Sequence, residues 1–159
     1  MSADDSERVL RLGDANIHIM DKYGIAKIHL VPNTRRIWRK PDAEQLEAHA
    51  GIHTVDIAGV ELGDGVLRVL CGLKNLRVLS LIEVSVPESE WQSLDECFLL
   101  TSLSYSGPKL TSTAVDSFSK LRQLQLLQID SECIAPSQVE KLKNILSDTA
   151  LEIVEFRNE

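Results

Sequence analysis

Residues 76–99, LRVLSLIEVSVPESEWQSLDECFL, and residues 100–123, LTSLSYSGPKLTSTAVDSFSKLRQ, are 24 residues each and place their apolar side chains at the same offsets. Each opens on the phrase apolar-x-x-apolar-x-apolar: Leu76/Leu79/Leu81 in one, Leu100/Leu103/Tyr105 in the other. The phrase recurs outward in both directions, as Ile52/Val55/Ile57 and Ile25/Ile28/Leu30 before it and as Leu124/Leu127/Ile129 and Leu151/Val154/Phe156 after it. Successive starts are 27, 24, 24, 24 and 27 residues apart. In the four units starting at 52, 76, 100 and 124, all 28 residues at offsets 0, 3, 5, 10, 15, 18 and 21 are apolar or aromatic. With 43% hydrophobic residues in the chain, chance produces such agreement at about 10⁻¹⁰ in a fixed frame.

The offsets carry two periods. Positions 3 and 5 differ by two, the period of a strand, whereas 15, 18 and 21 are spaced by three and share one face of a helical turn. Each unit therefore reads as a strand followed by a helical return, with helix starts marked by Asp64, Ser112 and Pro136–Ser137. A strand with its return cannot bury its own apolar edge, so the units must stack side by side.

This pattern resembles the leucine-rich repeat family, whose unit begins L-x-x-L-x-L-x-x-N/C-x-L. The resemblance extends over residues 25–159 and looks closest to a bacterial style of repeat, L-x-L-x-G-T-x-V-T-D-x-G-L, echoed by DIAGVELGDGVL at 56–67 and SYSGPKLTSTAV at 104–115. It implies an α/β solenoid: a right-handed strand-helix stack with a mostly parallel sheet. The chain departs from the family at the ninth position, where Val60, Val84, Pro108 and Glu132 replace the usual Asn or Cys. No asparagine ladder can then bond the turn carbonyls, which need other partners or water.

With 159 residues, the chain is expected to form one domain: an N-terminal cap over 1–24, repeats over 25–150, and a last strand with its cap over 151–159. Residues 4–13, DDSERVLRLG, read as a short amphipathic helical segment with acids in its first turn and Gly13 as its stop. Residues 15–20 and 25–30 flank Asp21–Lys22–Tyr23–Gly24, which reads as a hairpin that sets one antiparallel strand on the sheet edge. At the other end, three extra residues near Asp148–Thr149–Ala150 precede a last strand whose Glu152, Glu155, Arg157 and Glu159 would blunt the exposed edge.

Seventeen basic and 24 acidic residues give a net charge of −7. Residues 1–50 carry eight of each sign, so the whole excess falls in the later part. An acidic chain repels phosphate backbones, which argues against nucleic acid as a partner. No apolar run is long enough to span a membrane, the acidic start MSADDSE is unlike a secretory leader, and three cysteines (Cys71, Cys97, Cys133) lack disulfide or metal-ligand spacing. A cytoplasmic protein, a monomer or weak homodimer, is expected.

Candidate binding residues lie on the strand face opposite the core columns. The central column there reads His29, Asp56, Ser80, Ser104, Gln128 and Glu155. Val78, Ile82, Leu126 and Ile153 are apolar residues that the strand period aims at solvent. Framed by Arg77, Ser80, Ser102, Ser104 and Gln128, they form what a concave protein-binding face presents, with the Ile82–Ser85 segment and Gly107–Pro108 as an alternative loop rim. A second candidate is the insertion NTRRIWRKP at 33–41, whose Arg35, Arg36, Arg39 and Trp38 can dock an acidic partner or stack on a base. The alternative there is that Trp38 covers the flank of the first unit. His49 and His53 straddle a helix end and a strand start, so a shared metal is not expected. Cys97 falls in a core column, whereas Cys71 and Cys133 lie off-column and are expected to be partly exposed. With no phosphate-cradling glycine motif, nucleophile elbow or paired acids, the reading is a non-catalytic protein-binding module without cofactor or metal. The alternatives are an adaptor for an acidic or nucleic-acid ligand through the basic insertion, or a structural protein that self-associates through its sheet edges.

Overall fold

A computed structural model describes residues 7–12, 15–20, 25–30, 37–49 and 51–156. The repeated phrase is realised as strands β3 (Ile25–Leu30), β5 (Thr54–Ala58), β7 (Val78–Ile82), β8 (Ser102–Tyr105), β9 (Leu126–Asp130) and β10 (Ala150–Val154), joined in that order by parallel pairing. Two more strands, β1 (Glu7–Leu12) and β2 (Ala15–Met20), extend the sheet antiparallel beyond β3, giving eight strands in the order β1-β2-β3-β5-β7-β8-β9-β10. A separate two-stranded ribbon pairs β4 (Ile37–Trp38) with β6 (Glu61–Leu62). The fold is α/β with a mostly parallel sheet.

Parallel strands need covered faces and long returns. The returns are α1 (Lys40–Glu44) with a 3₁₀ turn at Gln45–Ala48, α2 (Val66–Cys71), a 3₁₀ helix at Glu88–Glu96, α3 (Ser112–Ser119) and α4 (Pro136–Ile145). Strands β5 and β7 alternate half-buried and buried along their length. Their inward residues Val55, Ile57, Leu79 and Leu81 join Leu103, Tyr105, Leu127 and Ile129 in one apolar cluster with Leu67, Leu70, Leu94, Phe118 and Leu142 from the returns. At its centre Trp91 packs edge-on against Tyr105 (5.4 Å) and Phe118 (5.2 Å). Such aromatic pairs add about 0.5–1.5 kcal/mol each beyond the area they bury. Between neighbouring returns, Arg68–Glu96, Lys120–Asp95 and Lys141–Asp116 form exposed ion pairs, which contribute little.

α3 begins at Ser112 and α4 at Pro136, as expected, whereas α2 begins at Val66, two residues after Asp64. Gly65, at φ 81°, precedes α2 in place of Asp64, and the hydroxyl of Thr111, not Ser112, accepts from the Ala114 N–H at 3.2 Å. Pro136 opens α4, where its missing N–H costs nothing.

In place of an asparagine ladder, the turns bond through backbone to the next unit. Leu62 N–H donates to Ser85 O (2.8 Å), Ser85 N–H to Val60 O (3.1 Å), Val84 N–H to Ser106 O (3.0 Å) and Leu110 N–H to Cys133 O (2.8 Å). Side chains complete the later turns: Tyr105 Oη donates to Pro108 O (2.7 Å) and Cys133 Sγ to Gly107 O (2.9 Å). The backbone of Gly107 lies so close to the preceding turn that a Cβ there would stand 2.3 Å from Val84 O. In that preceding turn Glu83 adopts φ 55°, the left-handed region that Gly59 (φ 70°) occupies one unit earlier.

Four expectations about the end strands are corrected. Residues within 4–13 form β1, a strand paired with β2, because backbone pairing to a neighbouring strand outweighs a weak amphipathic pattern. The antiparallel pairing of β2 with β3 is as the hairpin reading requires, although β1 and not β2 is outermost; the turn at 21–24 lies outside the described residues. At the last strand the register is Leu127↔Leu151 and Ile129↔Ile153, a spacing of 24 and not 27. A three-residue shift is odd, so it moves Val154 and Phe156 off the inward positions and places Leu151 and Ile153 there. In the first strand Ile28 pairs with Ile57 and Ala26 with Val55, a spacing of 29. That two-residue shift from the expected 27 preserves the face, which is why the sequence phrase still fits.

Candidate interaction face

The helical returns and the ring cluster cover one side of the sheet. On the other side Val78, Ser102 and Leu126 stand in register across β7, β8 and β9, with Ser80, Ser104 and Gln128 in the next row. All six are half-buried, as their strand neighbours shield their flanks, and Ile82 completes the group at the end of β7 beside Ala58. Strand spacing of about 4.8 Å and a rise of about 3.3 Å per residue make the patch roughly 10 by 13 Å across these three strands. Arg77 is exposed at its lower end, where its carbonyl accepts from Thr101 N–H (2.7 Å) and Ser102 N–H (3.1 Å) and so fixes the strand entry. Seven of the eight residues expected to bind a partner thus stand on one face, and Arg77 immediately precedes β7.

The central row is a hydrogen-bonded relay. Ser104 Oγ donates to Gln128 Oε1 (3.0 Å), and Gln128 Nε2 donates to Glu152 Oε2 (2.7 Å). These bonds hold the amide and carboxylate in place, so the row offers a preset pattern of acceptors to an incoming chain. Glu152 takes the position expected for Glu155, and Lys27 takes that of His29, which stands opposite Ala58. Ile153, expected to face solvent, falls in register with inward Ile129; it is 39% exposed on β10, the edge strand of the sheet among the described residues. The next row turns inward, where Ser106 Oγ donates to Asp130 Oδ2 (3.3 Å) and Asp130 Oδ1 accepts from Glu132 N–H (3.0 Å).

Within the basic insertion, Trp38 is turned into the core. Trp38 is 2% exposed, packed in the apolar cluster and tied down by Gly63 N–H donating to its carbonyl (2.8 Å), so its ring has no face left for a base. Arg39 is exposed, Lys40 pairs with Glu44 at 3.7 Å, and Arg35 and Arg36 lie outside the described residues.

His53 Nδ1 contacts Thr54 Oγ1 at 2.8 Å, and no cluster of three or more potential metal ligands occurs among the described residues. All three cysteines are unpaired and buried, correcting the exposure expected for Cys71 and Cys133. Cys71 closes α2 beside Cys97, and Cys133 lies against the Gly107 turn of the preceding unit. The hydrogen bond with Cys97, together with burial, pushes the Cys71 thiol far above the ordinary range. Burial likewise raises the Cys133 thiol and the Tyr105 phenol. These groups stay protonated and serve packing.

The sequence reading missed Phe98 and Leu99, which are 78% and 43% exposed at a cleft between α2 and the 3₁₀ helix. Their signal was present: at the same offsets the neighbouring units carry Lys74–Asn75 and Arg122–Gln123. No helix among the described residues is long and apolar enough to cross a membrane. No protein-family model matches the chain, and no curated protein matches it.

Proposed function

We propose that this chain is a leucine-rich repeat solenoid acting as a non-catalytic module that binds another protein through its open sheet face. The observation that carries this reading is the patch formed by Val78, Ile82 and Leu126 around the relay of Ser104, Gln128 and Glu152, none of which the returns cover. Parallel strands hold these side chains at fixed spacing, so little ordering entropy is lost on binding. An apolar centre framed by oriented polar groups is the composition of a protein interface. Three unpaired, buried cysteines suit a reducing compartment such as the cytoplasm. The basic insertion is the weaker candidate, because Trp38 is committed to the core.

The test is affinity capture from native lysate with the wild type and an Ile82→Arg, Ser104→Arg double variant of equal melting temperature. Loss of a reproducible partner with the variant supports the reading. Equal capture by both proteins, or dependence on Arg39 alone, overturns it.

A further inference from the structure

Phe98 and Leu99 break the repeat in a way that folding does not require. The turn between each return and the next strand holds two residues, and in the flanking units these are Lys74–Asn75 and Arg122–Gln123, all exposed. The core frame resumes only at Leu76, Leu100 and Leu124, each buried. Phe98, 78% exposed, therefore places an aromatic ring in water where the repeat uses a charge. The turn that presents it is rigid. Phe98 N–H donates to Glu96 O (3.0 Å), Leu100 N–H to Cys97 O (3.2 Å), and Gln123 Nε2 donates to the same Cys97 carbonyl (2.8 Å).

The ring forms part of the wall of a cleft of about 420 Å³ between the ends of α2 and the 3₁₀ helix, lined also by Cys71, Leu73, Lys74, Leu76, Glu96 and Cys97. Projection and recess thus share one patch, which carries Lys74 and Glu96, the latter also 3.8 Å from Arg68 of α2. A patch that contains both its own projection and the matching recess is self-complementary under a two-fold axis. We infer that a second copy of this chain binds here, each Phe98 entering the other's cleft and each Lys74 meeting the other's Glu96. The mixed signs matter because two chains of net charge −7 repel elsewhere. Two aromatic rings bury about 300–500 Å² together, well below the roughly 1,200 Å² of a stable complex, so the dimer is a dynamic one.

Sedimentation equilibrium of the full chain from about 1 µM to 1 mM tests this. A dimer is expected in the wild type, and Phe98→Lys, which restores the neighbouring units' chemistry, is expected to raise its Kd at least about thirtyfold. Glu96→Lys and Lys74→Glu should each weaken self-association, yet an equimolar mixture of the two should form a heterodimer in which both of these contacts pair opposite charges. That mixing result keeps the test decisive should Phe98→Lys alter the fold. A wild type that stays monomeric throughout, a Phe98→Lys chain that dimerises as well as the wild type, or a mixture no tighter than its components would overturn the inference. Because Ile82 and Ser104 lie on the sheet face, the Ile82→Arg, Ser104→Arg variant should dimerise normally, which separates this surface from the one proposed above.

Discussion

Replacing Gly107 with Ala tests the claim that successive turns are locked by direct backbone contact. The new Cβ would lie 2.3 Å from Val84 O and 3.0 Å from Tyr105 Oη. A relaxed carbon–oxygen contact is about 3.3 Å, so the two turns must part by about 1 Å. Val84 cannot yield alone: it is fully buried, and its N–H is bonded to Ser106 O. Forcing an extra carbon into such a site costs about 1–3 kcal/mol. Disturbing the Tyr105 Oη to Pro108 O bond removes about 1 kcal/mol more. The sum, about 2–4 kcal/mol, corresponds to a fall in Tm of about 4–16 °C for a domain of this size. Gly51→Ala is the matched control, since nothing lies within 4 Å of the added carbon there, and it should be neutral or stabilising by up to about 1 kcal/mol. Thermal unfolding followed by circular dichroism measures both. Equal Tm values for the two variants would refute the close approach of the turns.

In the core, Phe118→Ala removes the partner that Trp91 meets at 5.2 Å and should cost about 3–5 kcal/mol in urea unfolding with an unchanged m-value; a cost under about 1 kcal/mol would contradict the assigned frame. Stability should be level up to pH 8 and fall above roughly pH 9–10, since Cys71, Cys133 and Tyr105 all titrate higher in the folded chain than in the unfolded one. The unfolded state then releases protons that the folded state retains, so unfolding becomes easier as pH rises. Unfolding midpoints at pH 8 and pH 10.5 check this, and Tyr105→Phe should lessen the fall; a midpoint that rises with pH would refute the sign.

The 24-residue frame was legible because each unit repeats the same demand: two strand positions and three helical ones must be apolar for the unit to bury anything. Leu79, Leu103 and Leu127 announce their register by sequence alone, and the structure pairs them as neighbours. Sheet-face residues such as Val78 and Gln128 follow from that register by the alternation of a strand. Where the repetition stops, local pattern ceases to constrain the answer. At β10, Leu151, Ile153, Val154 and Phe156 offer apolar residues in both parities, and only pairing with β9 selects Leu151 and Ile153. At β1, a short amphipathic run is compatible with helix or strand until β2 supplies a partner.

The sequence by itself determined the α/β character, the parallel strand order of the central units and which side chains face the core, because these depend on periodicities that neighbouring units reinforce. Only the tertiary structure decided the registers of the end strands, the burial of Trp38, Cys71 and Cys133, the bonding of successive turns by backbone and Tyr105 contacts, and the cleft at Phe98. Each of these is set by contacts between residues of different units, whose free energies depend on distance and packing that no single segment encodes.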